Sequence, residues 1–203
     1  NGSTTFCAGG NVGLVSNSGL GLTYQWKKNG LNITGATSST YSATSTSSYK
    51  CLVTNSNGCS RASNTIFVTV NPLPTASISG NQTICPTAEA SITFSGTANA
   101  TVYYSVNFGA LESVVLDGNG LAIITNTYTT TTVFTLDSVS IGTSLVCTSS
   151  ATGTATITVA PAPSIGVGSD LVVCDDNNDG FGVFDLTQNL AAITLGGSNL
   201  SVS

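Results

Sequence analysis

The chain has 203 residues, of which only 6% are charged, and it contains no histidine and no methionine. Four cations and a formal net charge of −5 leave no basic stripe that could neutralise a nucleic-acid backbone. Without histidine there is neither a Ser-His-Asp triad nor an imidazole ligand for a metal, so we expect no enzyme here. No run approaches the roughly 20 apolar residues that a membrane-spanning helix needs, so we expect no membrane insertion.

The first third of the chain contains short runs in which apolar and polar residues alternate. In chain order these runs are residues 12–15, 24–26, 49–53 and 65–70. A two-residue period places one face of each strand in a core, and the Asn-Gly pairs between the runs suit tight turns. The order and spacing predict an all-β protein built from two-sheet sandwiches.

Two of these runs resemble the immunoglobulin-type pattern. Trp26 follows Tyr24 by two residues in a middle run, and Tyr49 precedes Cys51 by two residues in a later one. The resemblance implies that Trp26 lies between the two sheets and that Tyr49 ties a corner to nearby backbone. The chain departs from the pattern at its second strand, because residues 12–16 contain no cysteine.

A linker occurs twice almost unchanged, which indicates tandem domains. Val68-Thr69-Val70-Asn71-Pro72-Leu73-Pro74 returns as Ile157-Thr158-Val159-Ala160-Pro161-Ala162-Pro163. The spacing is too long for a solenoid repeat and suits whole small domains. We therefore predict immunoglobulin-like repeats at residues 1–72 and 73–161, joined by short Pro-x-Pro linkers, and an incomplete third repeat at 162–203, in an excerpt from a longer polypeptide.

The second repeat follows the same plan with different residues. Its alternating runs are residues 91–94, 102–106, 112–116, 121–125, 133–139 and 154–159. Tyr104 takes the place of Trp26, and Leu136 takes the place of Cys51. A position that accepts leucine is a core position, so Cys51 is predicted to be a buried free thiol.

The other cysteines are predicted to form one disulfide in each complete repeat. Cys85 sits in its repeat as Cys7 does, and Cys147 precedes the final strand as Cys59 does. The comparison predicts the pairs Cys7–Cys59 and Cys85–Cys147, and it leaves the partner of Cys174 open. Such bridges imply an oxidising, extracytoplasmic location.

Five of the nine carboxylates fall within sixteen residues of the third repeat. Oxygen ligands at positions one, three and five, with glycine at position six, match the spacing of a loop that wraps a calcium ion. The candidate ligands are Asp175, Asn177, Asp179, the carbonyl of Phe181, and Asp185, which comes one residue early. The alternative is a solvated Asp/Asn turn without a metal. Apart from calcium, no cofactor is expected.

The same segment resembles the opening of a repeat in giant surface proteins of gliding, type-IX-secreting bacteria. The similar residues are Val172 to Thr187 and the Phe6-Cys7-Ala8-Gly9-Gly10 opening of the first repeat. That family has immunoglobulin-like and PKD-like repeats and includes the gliding-motility adhesin SprB. The resemblance implies export by the type IX machinery, display on the outer cell surface, and O-glycosylation at Ser138, which lies in an Asp-Ser-apolar triplet.

We therefore predict a non-catalytic stalk or spacer segment of a large secreted cell-surface adhesin. Its partners would be neighbouring repeats of the same polypeptide. Two alternatives stay open. One is a module that binds surface glycans or other cell-surface proteins through a loop aromatic such as Phe108, and the other is an accessory region of a secreted enzyme.

Overall fold

The computed structural model describes residues 3–162, and within them the secondary structure consists of seventeen β-strands. The predicted calcium loop at residues 175–185, Cys174 and the third repeat lie outside the described residues. The all-β prediction is confirmed, and the strands form two β-sandwiches in succession. None of the described residues belongs to a helix that could cross a membrane.

The first sandwich contains eight strands. They are β1 (Thr5–Cys7), β2 (Val12–Val15), β3 (Thr23–Lys28), β4 (Leu31–Asn32), β5 (Thr40–Ala43), β6 (Ser47–Thr54), β7 (Ser60–Ala62) and β8 (Ile66–Asn71). One sheet has the order β1-β8-β6-β3-β4, with β7 also paired to β6, and β2 and β5 form the facing sheet. The first strand runs parallel to the last, whereas the other pairs are antiparallel. This strand order is that of an immunoglobulin-like sandwich.

Alternating burial explains why these segments are strands. Along β6, Ser47, Tyr49 and Cys51 are buried and the residues between them are only partly so. Successive side chains of a strand point to opposite faces, so this alternation turns one face of the sheet inward. Trp26 joins that face from β3, with a ring centroid 5.9 Å from Tyr41, and only 1% of its surface is exposed.

The hydrogen bonds of the two aromatic residues confirm the immunoglobulin-type prediction. The indole nitrogen of Trp26 donates to the carbonyl of Ser38 at 3.0 Å. The hydroxyl of Tyr49 donates to the carbonyl of Ser45 at 3.0 Å, four residues upstream, which is the tyrosine-corner contact. Both polar groups are thus satisfied inside an apolar core, where an unpaired donor would be costly.

The second sandwich contains nine strands. They are β9 (Ala76–Ser79), β10 (Gln82–Ile84), β11 (Glu89–Gly96), β12 (Thr101–Val106), β13 (Leu111–Val115), β14 (Leu121–Thr127), β15 (Thr132–Ile141), β16 (Cys147–Ser150) and β17 (Thr154–Val159). One sheet has the order β10-β17-β15-β12-β13, with β16 also paired to β15, and β14-β11-β9 form the other. Here β10 runs parallel to β17, as β1 does to β8. The two sandwiches therefore share one topology, apart from β9, which has no counterpart in the first.

Register shows which core positions correspond. Ser47 lies opposite Val68, and Thr132 lies opposite Ile157, the residue that occupies the place of Val68 in the repeated linker. Counting four residues along each strand brings Cys51 and Leu136 to the same position, and both are buried. The predicted equivalence of these two residues is confirmed, and Cys51 is a buried free thiol.

Candidate functional site

The junction between the two sandwiches is formed by a short linker. Strand β8 ends at Asn71 and β9 begins at Ala76, so only four residues connect them. Two of the four are prolines, whose ring fixes one backbone dihedral and removes an N–H, so neither β-strand can continue through the linker. The chain therefore passes between the sandwiches through a short, stiff segment.

The end of this linker is attached to the second sandwich. Pro74 is fully buried, and its carbonyl accepts a hydrogen bond from the hydroxyl of Ser149. The amide of Thr75 donates to the hydroxyl of Thr97 at 2.9 Å, and the amide of Thr97 donates to the carbonyl of Thr75 at 2.9 Å. Only Pro72 and Leu73 are left between the two anchored ends of the linker.

A disulfide between Cys7 and Cys147 crosses the junction. Cys7 ends β1 opposite Asn71, the last residue of β8. Cys147 begins β16 opposite Ile141, at the end of the second sandwich that faces the linker. The two Cα atoms are 5.5 Å apart. The sandwiches are thus joined twice, by the linker and by the disulfide.

The predicted disulfide pairs were wrong, because the pairing is between sandwiches and not within each. Neither Cys7–Cys59 nor Cys85–Cys147 forms, and Cys59 and Cys85 are exposed free cysteines. The reason is the direction of the strands. Cys7 lies beside the end of β8, where the chain leaves the first sandwich. Cys59 lies in the turn after β6, at the opposite end. The length of the sandwich separates them.

A small cavity of about 350 Å³ lies beside the disulfide. The linker residue Leu73 lines one side of it, and Ile141 and Leu145 of the β15–β16 hairpin line another. These apolar side chains come from both partners of the junction. The cavity is part of the packing between linker and hairpin, and it holds none of the ionisable groups that a catalytic site requires.

Two ionisable groups of the second sandwich make structural hydrogen bonds. The Tyr104 hydroxyl donates to a Glu112 carboxylate oxygen at 3.0 Å, and burial together with this bond raises the pKa of Tyr104 to about 12. The Asp117 carboxylate accepts from the amides of Leu121 and Asn119, both at 2.8 Å, which lowers its pKa. The two groups hold a hairpin and a turn in place.

Two further predicted positions can be located. The Ser138 hydroxyl is half-buried on β15, a strand paired on both sides, and it donates to the Asp137 carboxylate at 2.7 Å. Glycosylation at Ser138 stays a prediction. Among residues 3–162, no group of three or more His, Cys, Asp or Glu side chains could hold a metal ion. The predicted calcium ligands all lie beyond that range.

Phe108 is an exposed aromatic in a strained turn. Its side chain is 83% exposed at the tip of the β12–β13 hairpin, and its φ angle is 59°. A positive φ disfavours a bulky side chain. The corresponding turn of the first sandwich has Asn29 and Gly30 at its two centre positions, with φ angles of 49° and 84°. The sequence pointed to Phe108 by its turn context, but it gave no sign of the strain.

The strand order and the two cores define the class of protein, a tandem array of immunoglobulin-like β-sandwiches. Residues 1–72 match a family model described as a domain of unknown function (DUF8696). None of the curated proteins compared with the chain matches it.

Several solved structures are similar to this chain. The fibronectin(III)-like modules of CbhA from Clostridium thermocellum are 12% identical, with 77% of this chain and 89% of that chain covered and a TM-score of 0.35. A marsupial T cell receptor is 12% identical, with 85% and 75% covered and a TM-score of 0.47. The D0-D1 domain of Intimin is 12% identical, with 77% and 95% covered and a TM-score of 0.30. The assignment of the fold rests on the strand order and cores above.

Proposed function

We propose that this chain is a non-catalytic spacer segment of a large secreted cell-surface adhesin, which holds a distal binding region at a fixed distance and carries tension. The observation that carries the proposal is the Cys7–Cys147 disulfide across the junction. A single linker would let two sandwiches swing, whereas two attachments side by side restrict their relative motion. A spacer needs that stiffness, and a binding module does not.

The disulfide also changes the path that a pulling force takes. Cys7 and Cys147 are 140 residues apart in sequence. Force that enters at the first strand passes through the covalent sulfur–sulfur bond to β16 and bypasses the chain between them. Strands β2 to β15 then carry no load along the backbone. A stalk under tension gains from this arrangement, because only β1, β16 and β17 stay in the path of the force.

The low charge of the surface and the presence of a disulfide also support a secreted spacer. With 6% charged residues and a shell rich in serine and threonine, the sandwiches offer few strong contacts to other macromolecules. A structural disulfide persists in an oxidising compartment and is rare in the cytosol. Type IX export, gliding motility and outer-surface display rest on the sequence resemblance described above and belong to this proposal.

Pulling single molecules of the whole chain from its two termini tests the proposal. In the oxidised protein, the loop closed by Cys7 and Cys147, which are 140 residues apart in sequence, should stay closed. Reduction should release up to about 480 Å of additional contour length, since an extended chain spans roughly 3.3–3.6 Å per residue. Cys51→Ala is the control, because it removes a thiol that takes no part in the bridge. Equal extension before and after reduction would remove the basis for a tension-bearing spacer.

A second candidate function is a module that binds surface glycans or another cell-surface protein, and Phe108 is the observation that favours it. The matching hairpin of the first sandwich has Leu31 after its turn, which is 76% exposed, so the following sandwich does not cover that hairpin. Phe108 at the same place would also stay open to a ligand. Binding to a glycan array that disappears in Phe108→Ala and persists in Leu111→Ala, an exposed neighbour, would support this function; an array without hits would not.

A further inference from the structure

We infer that a disulfide of the Cys7–Cys147 type repeats between adjacent sandwiches, and that Cys59 and Cys85 each supply one cysteine of such a disulfide to a sandwich outside this pair. Each sandwich carries one cysteine at the end of its first parallel strand and one in the hairpin at its opposite end. The cysteine at the end of the parallel strand forms a disulfide with the hairpin cysteine of the next sandwich, as Cys7 does with Cys147. Cys85 then joins the sandwich that follows, and Cys59 joins the one that precedes. This inference extends the proposed spacer role.

Cys85 occupies the same place in the second sandwich as Cys7 does in the first. Cys7 is the last residue of β1, which pairs in parallel with the last strand of the first sandwich, and Cys85 directly follows β10, which pairs in parallel with the last strand of the second. Each cysteine also begins a tight turn. The amide of Gly10 donates to the carbonyl of Cys7 at 3.0 Å, and the amide of Ala88 donates to the carbonyl of Cys85 at 3.2 Å. The third residue of each turn is left-handed, with φ of 90° at Gly9 and 65° at Thr87.

The linkers next to these two cysteines also correspond. Cys7 lies opposite Asn71, which precedes Pro72. In the second sandwich, Ile84 lies opposite Val159, and the amide of Ala160 donates to the carbonyl of Ile84 at 2.9 Å. Continuing this parallel register by one residue places Cys85 opposite Ala160, which directly precedes the proline of the second Pro-x-Pro linker. Cys85 therefore faces a linker of the same build as the one that Cys7 faces.

Cys59 occupies the same place as Cys147. Cys147 begins the returning arm of the hairpin after β15, opposite Ile141. Cys59 begins the returning arm of the hairpin after β6, and its carbonyl accepts from the amide of Asn55 at 3.0 Å. The Asn55 side chain accepts in turn from the amide of Cys59 at 2.9 Å, so the position of that cysteine is fixed. Strand β15 contains one extra residue at a β-bulge, because Tyr103 pairs with Ser138 and Tyr104 pairs with Leu136. Ile141 therefore corresponds to Asn55, and the two cysteines lie at the same height on their sandwiches.

Exposure separates the three free thiols into two kinds. Cys51 is buried in a core, where the second sandwich has Leu136, and it needs no partner. Cys59 and Cys85 are exposed. A groove of about 520 Å³ lies beside Cys59, at the end of the first sandwich where the cavity beside Cys147 lies in the second. Because Cys59 and Cys85 lie at opposite ends of the pair of sandwiches, they cannot bond to each other within one chain.

The bond would form by ordinary thiol–disulfide exchange with a disulfide oxidant such as oxidised glutathione. One thiol loses its proton, and its sulfur attacks the oxidant, which releases one reduced thiol and leaves a mixed disulfide. The second protein sulfur, also deprotonated, attacks that mixed disulfide and displaces the other half of the oxidant. Two protein thiols lose two protons and two electrons in total, and the oxidant becomes two thiols.

The partner is a cysteine on the complementary end of another sandwich of this build. That sandwich could belong to the same polypeptide or to a second copy of the chain, and the two sources need separate experiments. For the first, residues 73–161 are duplicated in place within the full chain, which preserves the Pro-x-Pro spacing at both joints. Cys85→Ser in the second copy makes every Cys85 signal come from the first.

Peptide mapping without reduction, after oxidation in glutathione buffer, then reads the pairing. We expect Cys85 joined to Cys147 of the second copy, with Cys7–Cys147 of the first copy intact and Cys51 alkylated. In the parent chain, Cys85 should be open to alkylation. Moving the Cys85→Ser change to the first copy should abolish the new linked peptide. A fully alkylated Cys85, or a Cys85–Cys174 bond, would overturn the inference.

The second experiment tests pairing between two copies of the chain and uses no duplicated sandwich. Ordinary and ¹⁵N-labelled chains, both with Cys174→Ser, are mixed and oxidised together. We expect Cys85 of one copy joined to Cys59 of another, in excess over like pairs of Cys59 or of Cys85. Random pairing in this arm, together with a free Cys85 in the duplicated chain, would refute the repeating disulfide. The spacer proposal fails separately, when the loop between Cys7 and Cys147 is not shielded from force.

Discussion

The two sandwiches have the same strand order but different cores. The first relies on Trp26, Tyr49 and Cys51 between a five-strand path and a facing sheet of only two strands. The second adds a third strand to its facing sheet and contains the larger buried cluster, around Phe94 and Tyr104. More buried apolar surface means more stabilisation. The comparison indicates that the first sandwich is the weaker and depends more on the bridge to its neighbour.

Phe94→Ala should give the largest effect, because Phe94 is fully buried and its ring lies 4.9 Å from that of Tyr104. We expect a loss of about 3–5 kcal/mol in the unfolding free energy of the second sandwich. Trp26, the only tryptophan, reports on the first sandwich by its fluorescence. A thermal melt monitored by circular dichroism should show a transition at lower temperature, and the fluorescence of Trp26 should not change in that transition.

The control for Phe94→Ala is Ile123→Ala on the adjacent strand β14, where the side chain is 65% exposed. A loss there within about 0.5 kcal/mol is expected for a surface substitution. If tryptophan fluorescence in Phe94→Ala shifted together with the circular dichroism, the two cores would not be independent.

Removing the bridge with Cys7→Ser should destabilise the protein by about 2–4 kcal/mol, the usual range for a native disulfide. The weaker first sandwich should show most of the loss, as a lower midpoint in the thermal transition of Trp26 fluorescence. Cys59→Ser and Cys85→Ser are matched controls, because both cysteines are free in this chain. A loss as large in either control would contradict the pairing.

Phe108→Gly should stabilise the second sandwich by about 1 kcal/mol, because a left-handed residue with a side chain is strained. The opposite change in the first sandwich, Gly30→Phe, should destabilise it by a similar amount. Chemical denaturation of the two variants measures both effects. Unchanged stability in Phe108→Gly would mean that the turn relaxes without cost.

Tyr104→Phe should have the smallest effect at neutral pH, about 1 kcal/mol, for the lost hydrogen bond to Glu112. Its pH dependence is more informative. The folded-state pKa of about 12 lies above the usual value of 10, so the unfolded chain loses this proton first. The stabilisation is complete below pH 10 and disappears as the pH rises towards 12. Thermal melts should show a smaller alkaline loss in Tyr104→Phe than in the parent, with a remainder from Tyr128, whose pKa burial also raises.

The local parts of this fold could be predicted from the sequence, whereas the disulfide pairing could not. Residues 12–15 alternate strictly, and they form β2 with those bounds. The three-residue strands β1 and β10 carry no such pattern and were not predicted. Their parallel pairing with the last strand places Cys7 and Cys85 at the exit of each sandwich, and that pairing joins residues far apart in sequence.

Peptide mapping of the unreduced chain, alkylated before digestion, tests the central claim most directly. If the bridge spans the junction, the map contains a peptide pair joined through Cys7 and Cys147, with Cys51, Cys59 and Cys85 alkylated. A pair joined through Cys7 and Cys59, or an alkylated Cys7, would show that the sandwiches are not locked together.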